Sequence, residues 1–251
     1  MFDLKGHVAL VTGGNGGIGL GMARGLARAG ASVAVWGRNA EKNAAAVIEL
    51  RDLGVDSEAF RCDVASEDEI IAGTQATLER FGRIDSCFAN AGFGAQKSFL
   101  KMSVDDWNQV MVVNLQGVFL TFRESLKHMV ERGGGGKLIA IGSIGSTFGM
   151  PRQTSYSATK GALNALVKSL AVEFGRYDVQ ANVIQPGLIE TDATAPAMEF
   201  KKLFETIVHR TPAHRWGTPE DLEGLAVYLA SEASRFHTGD VITVDGGYCV
   251  F

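Results

Sequence analysis

Apolar residues along this chain fall into two alternating patterns. Short, nearly unbroken apolar and β-branched runs occur at 7–12 (HVALVT), 32–36 (SVAVW), 57–62 (SEAFRC), 86–90 (SCFAN), 137–142 (KLIAIG), 180–185 (QANVIQ) and 240–244 (DVITV). Between them lie longer stretches with helical spacing, near 18–29, 40–53, 66–81, 103–131, 155–177 and 218–231. Runs without a polar face, separated by helical crossovers, predict parallel strands covered by helices on both sides. The right-handed crossover rule then favours an α/β fold with a doubly wound, Rossmann-like sheet. Gly30 and Gly54 stand where helix C-caps want a positive φ. The GGGG at 133–136 reads as a flexible connection from a helix to a strand. The long strand-free stretch is 186–217, with Pro186, Pro196 and Pro212, which reads as a substrate loop or lid.

Composition narrows the picture a little. The 251 residues are 46% hydrophobic and 21% charged, enough for a sizeable core, and no linker composition divides 1–251, so one domain is expected. A net charge of −4 argues against nucleic acid or an anionic membrane as partner. Cys62, Cys87 and Cys249 form no CxxC pair, which suits a reducing compartment without structural disulfides or a zinc cluster. The scattered histidines give no metal-ligand spacing, so no catalytic metal is expected. The start MFDLKGHVALVTGG lacks the order of a secretory signal, and no apolar run approaches membrane-spanning length. The cytoplasm is the expected location.

The first candidate chemistry follows the first strand. TGGNGGIG, Thr12 to Gly19, sits between that strand and a helix, so Gly13, Asn15, Gly17, Ile18 and Gly19 are expected to cradle a dinucleotide pyrophosphate. At the end of the second strand, where an acid would bind the ribose of NAD, the chain has Trp36-Gly37-Arg38-Asn39, with Glu41 already past the turn. Gly37 is read as leaving room, and Arg38 as a guanidinium fork for a 2′-phosphate. NADP(H) is therefore expected over NAD(H), which remains possible. Asp63, with Val64 beside it in CDV, is a candidate adenine contact; Asp63 as a helix N-cap or turn residue is the alternative.

A second cluster explains an unusual helix start. YSATK, Tyr156 to Lys160, opens a helix whose buried face is Leu163, Leu166, Val167, Leu170 and Phe174. The spacing puts Tyr156 and Lys160 one turn apart on one face. Together with TGGNGGIG, NAG (90–92), Asn114 in VNL, Ser143 in IGSIG and PGLIETD (186–192), it resembles the single-domain branch of the short-chain dehydrogenase/reductase family over essentially the whole chain. One departure is Ala89, where the family often has a first asparagine before NAG; altered local hydrogen bonding is expected there. The resemblance implies a seven-stranded parallel sheet and a homotetramer built on the helices near 103–131 and 155–177. It also implies a catalytic set of Asn114, Ser143, Tyr156 and Lys160, with Tyr156 as general acid/base. Ser143 would hold the substrate oxygen, Lys160 the nicotinamide ribose, and Asn114 a relay water. Asn90 joins the cofactor contacts, and Pro186, Gly187, Ile189 and Thr191 would hold the carboxamide.

A free tyrosine has a pKa near about 10. An ammonium at about 4 Å, in an effective dielectric near 20, would favour the phenolate by roughly 4 kcal/mol, or about three pKa units. Lysine is thus expected to make the tyrosine acidic. Only three residues separate the pair, fewer than in the enoyl reductases of the superfamily. The implied reaction is hydride exchange between a nicotinamide and a small ketone or secondary alcohol. A dinucleotide-sensing regulator is the alternative, and the intact Tyr156–Lys160 pair argues against it. Phe93, Gln96, Ile144, Phe148, Met150 and Gln153, with Met198, Phe200 and Phe204, are candidate pocket residues. They leave sugar acids or polyols, acyl thioesters and cyclic or aromatic ketones open.

Overall fold

The computed structural model describes residues 1–250. In chain order the elements are β1 Val8–Thr12, α1 Gly17–Arg28, β2 Ser32–Gly37, α2 Ala40–Asp52, β3 Ser57–Arg61, α3 Glu67–Phe81 and β4 Ser86–Ala89. Next come α4 Val104–Met111, a π-helical turn Val112–Gln116, α5 Gly117–Arg132, β5 Gly136–Ile141, α6 Thr154–Phe174 and β6 Val179–Pro186. The chain closes with α7 Ala195–Met198, α8 Lys201–Arg210, α9 Glu223–Ala230 and β7 Val241–Val244. All seven strands are parallel, in the order β3-β2-β1-β4-β5-β6-β7.

Alternate strand residues feed two separate cores, which is why the strands read as continuous apolar runs. Leu10, Ala34, Trp36, Cys87, Leu138 and Val183 pack with Ile70 of α3, Phe122 and Met129 of α5, and Leu163 and Val167 of α6. Ala9, Val11, Val33, Phe88, Ile139 and Ile184 pack on the other face with Met22 and Leu26 of α1, Leu50 of α2 and Leu229 of α9. Trp36 is buried, and its indole N–H donates to Thr77 at 3.0 Å, so the ring brings no unpaired donor into the core.

Local signals set the helix ends. Asn39 and Ser66 cap α2 and α3 by accepting from Lys42 N and Glu69 N. Gly30 and Gly54 adopt φ of 98° and 87°, as the sequence predicts. The GGGG run is only partly a connection, because Gly136 already belongs to β5 while Gly133, Gly134 and Gly135 turn with positive φ. The expected uninterrupted helix over 103–131 is interrupted by the π turn, whose centre is Asn114. The stretch after β6 holds α7 and α8.

At the amino ends of the strands, opposite the switch between β1 and β4, His7 lies 2.9 Å from the Ser86 hydroxyl. Burial pushes its pKa down to about 4; Asp85 opposes this, while Arg83, Lys137 and Arg132 add to it. Burial alone would raise the Asp85 carboxyl, but hydrogen bonds from Arg83, Arg132 and Val8 N–H hold it below the usual carboxylate range. Because the folded His7 pKa is depressed, its stabilisation is present above about pH 6.5 and is lost as pH falls toward 4. Unfolding free energy is expected to be about 2 kcal/mol lower at pH 5 than at pH 7 from this group. Urea titrations of wild type and His7→Gln check this: the variant should lose most of that slope.

Candidate active site

A cleft of about 680 Å³ runs along the carboxyl ends of β1, β2, β4, β5 and β6, where a doubly wound sheet opens at its strand-order reversal. Its walls include Gly13, Asn15, Gly17, Ile18, Arg38, Asp63, Val64, Asn90, Ser143, Tyr156, Lys160, Pro186, Gly187, Ile189 and Thr191. Of the residues the sequence assigns to catalysis and cofactor binding, only Gly19 and Asn114 lie behind the wall.

The glycine-rich end is shaped for close approach. Gly13 and Gly17 adopt φ of 63° and 50°. A Cβ on Gly19 would overlap the Gly13 carbonyl and press on Asn90 Nδ2. Asn90 itself donates to the Thr12 and Gly13 carbonyls at 3.0 and 3.2 Å, and the Thr12 hydroxyl accepts from Asn90 N and Ala91 N. Thus Asn90 ties the end of β4 to the turn after β1, with the buried Ala89 packed in the core behind it. The N-terminus of α1 has no side-chain cap and no acid in its first turn, so its N–H groups and positive dipole end suit a phosphate.

At the end of β2 the reading of Gly37 needs correcting. It leaves no spare room: a Cβ there would overlap Asn15 Nδ2 and Asn43 Oδ1. Asn15 Nδ2 donates to Asn43 Oδ1 at 2.6 Å, and Asn43 Nδ2 donates to the Gly37 carbonyl at 2.9 Å. The space in front of the backbone is thus filled by two amides. Arg38 is 70% exposed, with its Nη1 3.6 Å from Asp63 Oδ2. Asp63 also accepts from Ala65 N in a local turn, and Ser66, not Asp63, caps α3. Sequence reasoning missed Lys42, four residues after Arg38, which lines the cleft and pairs with Asp192 at 2.8 Å. The spacing from Arg38 along the first turn of α2 was the available signal.

At the inner end, β5 and α6 bring the polar cluster together. Ser143 follows β5 and accepts from Gly145 N at 3.0 Å. Buried Lys160 donates to the carbonyl of Ile141, the last residue of β5, at 2.6 Å. Burial lowers its pKa to about 8. Its Nζ lies 5.6 Å from the Tyr156 ring centroid. Burial raises the Tyr156 phenol above the ordinary tyrosine value, and only the Ser143 hydroxyl pulls the other way. The expected lowering of the phenol by Lys160 is therefore not met by these side chains. The ammonium points at a strand end, and desolvation dominates.

The π turn presents Asn114 to the loop after β4. Its Oδ1 accepts from Phe93 N at 3.0 Å and its Nδ2 donates to the Phe93 carbonyl at 2.9 Å. A Cβ on Gly92 would come within 3.1 Å of Asn114 Oδ1 and 3.6 Å of Lys160 Nζ. Phe93, Gln96, Ile144, Met150 and Gln153 line the cleft as expected. Phe148, Met198, Phe200 and Phe204 do not. Phe148 packs edge-on against Tyr248 under the Arg210 guanidinium, Phe204 stacks on Trp216, and Phe200 is exposed.

A doubly wound sheet with a dinucleotide cradle at its switch point and a Ser–Tyr–Lys cluster beside it defines a nucleotide-dependent oxidoreductase. The family model described as enoyl-(acyl carrier protein) reductase matches residues 13–249. The chain is 39% identical to gluconate 5-dehydrogenase of Gluconobacter oxydans over 250 residues, covering 100% of this chain and 97% of that one. It is also 39% identical to sorbose reductase of Schizosaccharomyces pombe over 254 residues, covering 99% and 98%. A crystal structure of a gluconate 5-dehydrogenase from Burkholderia cenocepacia in complex with NADP and tartrate superposes with a TM-score of 0.95 at 39% identity, covering 100% and 98%. The chain belongs to the short-chain dehydrogenase/reductase family.

Proposed function

We propose that this protein is an NADP(H)-dependent oxidoreductase that interconverts a small ketone and its secondary alcohol, with Tyr156 as general acid/base. The observation that carries this reading is the meeting of Ser143, Tyr156 and Lys160 at one end of a cleft whose other end is the glycine cradle. The Gly13–Gly19 turn and the uncapped start of α1 would hold the pyrophosphate. Arg38 and Lys42 would meet the 2′-phosphate, a reading supported by the absence of a carboxylate from the end of β2 and by the NADP in the Burkholderia relative. NADP(H), when bound, supplies or accepts the hydride.

The chain's own groups handle the proton. The raised phenol keeps Tyr156 protonated at neutral pH, ready to give its proton to a carbonyl oxygen that Ser143 holds. Lys160 spends one of its N–H donors on Ile141, leaving two for a ribose hydroxyl and for steadying phenolate charge in the oxidative direction. Asn114 would act one step back, fixing Gly92 and Phe93 beside the lysine. The segment 186–217 is read as the substrate loop of one domain, tethered to α2 by Lys42–Asp192. Exposed Val104 on α4, Phe119 on α5 and Val172 on α6 support a homotetramer built on those helices.

Arg38→Ala provides the test. It is expected to lower kcat/KM for NADPH by about tenfold or more while NADH changes by less than about threefold. An unchanged NADPH/NADH ratio in steady-state assays would remove the cofactor assignment. Gly37→Asp is a poor probe of the same point, because the Asn15–Asn43 pair stands where its side chain would go.

A further inference from the structure

The substrate end of the cleft, beyond Ser143 and Tyr156, is lined by Phe93, Gly94, Gln96, Ile144, Met150 and Gln153. Three of these are apolar walls and two are amides. Among the described residues, the charged side chains lining the whole cleft are Arg38, Lys42, Asp63, Lys160 and Asp192. Arg38, Lys42 and Asp63 stand after β2, at the start of α2 and after β3, in the arm read above as the cofactor's, and Asp192 of the loop after β6 is paired with Lys42. The fifth, Lys160, is tied to Ile141.

Lys97 and Arg152, sequence neighbours of the lining residues Gln96 and Gln153, are outside the lining, as is Arg210. Lys97 is paired with Asp106. The Arg210 guanidinium lies 5.1 Å from the Phe148 ring centroid and 4.4 Å from that of Tyr248. Arg152 is exposed on a left-handed backbone. A carboxylate placed between Phe93, Ile144 and Met150 would meet no cation among the side chains that line the cleft there.

One polar atom there asks for a partner. Gln153 Oε1 is buried without a hydrogen bond. A Cβ built on Gly94 would lie 3.1 Å from it, so the oxygen sits close over the loop after β4. A buried amide oxygen left unpaired costs about 1–3 kcal/mol, and a hydroxyl donor relieves that cost.

We infer that the substrate is an uncharged hydroxy ketone or polyol, with Gln153 accepting from one of its hydroxyls, and not a sugar acid. This rests on the oxidoreductase reading above. One relative named for gluconate and one named for sorbose are both 39% identical to the chain, so percentage identity alone does not choose between the classes. The lining of the cleft does.

The test uses a matched pair, L-sorbose and 5-dehydro-D-gluconate, two six-carbon ketones that differ in a hydroxymethyl group against a carboxylate at one end. With NADPH, wild-type kcat/KM is expected to favour L-sorbose by about tenfold or more. Gln96→Arg should raise kcat/KM for the keto acid by about tenfold, in a way that fades as salt is added. Gln153→Leu should lower kcat/KM for L-sorbose by about tenfold. Equal or better wild-type turnover of the keto acid overturns the inference and leaves the oxidoreductase reading standing. Turnover of neither ketone, with NADPH binding demonstrated, overturns that reading and the inference with it.

Discussion

Tyr156→Phe is expected to lower kcat by about 10³-fold or more, with the dissociation constant of NADPH changed by less than about twofold. In the proposed mechanism the phenol hydroxyl, beside Ser143 in the cleft, is the proton donor, and phenylalanine keeps the ring while removing it. Lys160 cannot take over, because its ammonium is held on the Ile141 carbonyl, with Nζ 5.6 Å from the ring. NADPH titration by fluorescence beside steady-state turnover separates the two effects. A variant turning over near the wild-type rate would remove Tyr156 from the chemistry.

Gly19→Ala is expected to raise the NADPH dissociation constant by about tenfold or more and to destabilise the fold by about 1–3 kcal/mol. The added methyl has nowhere to go. It would overlap the Gly13 carbonyl and meet the Asn90 amide that fastens β4 to the turn after β1. Both consequences come from one displacement, because the carbonyl it pushes belongs to the cradle itself. Gly224→Ala on α9 is the control, since Gly224 does not line the cleft and a Cβ there meets nothing within 4 Å. Equal NADPH affinity in Gly19→Ala and wild type would show that the turn yields without harm.

Much of this molecule is legible before its coordinates. The strands declare themselves because each is buried on both faces, and an unbroken run such as Ala9, Leu10 and Val11 serves two cores at once. The cleft-lining residues are legible because a glycine-rich turn after a strand suits backbone approach to a phosphate, and helical spacing puts Tyr156 and Lys160 on one face. What sequence cannot carry is the neighbourhood of each residue. Gly37 looks like open space until Asn15 and Asn43, distant in sequence, are found filling it. The π turn at Asn114 is hidden because its widened turn absorbs the extra residue, and the apolar run Met111, Val112 and Val113 masks the one-residue skip in spacing. Phe148 and Phe204 are aromatic residues near substrate loops, yet each finds an aromatic partner away from the cleft. The Tyr156 pKa was misjudged for a related reason. Spacing gives the proximity of Lys160 but not the direction of its ammonium or the depth of burial.

The family model is described by enoyl reduction, whereas the site argues for carbonyl chemistry. YSATK keeps three residues between tyrosine and lysine, and Ser143 lines the cleft beside them. The account's central claim is that hydride passes directly between the nicotinamide and a carbon whose oxygen Tyr156 protonates. The most direct test is turnover of a ketone with NADPH deuterated at C4, separately on each face, followed by mass analysis of the alcohol. The account predicts one deuterium on the carbinol carbon from one face and none from the other. Product without deuterium from either face, or consumption of NADPH without any alcohol formed, would contradict it.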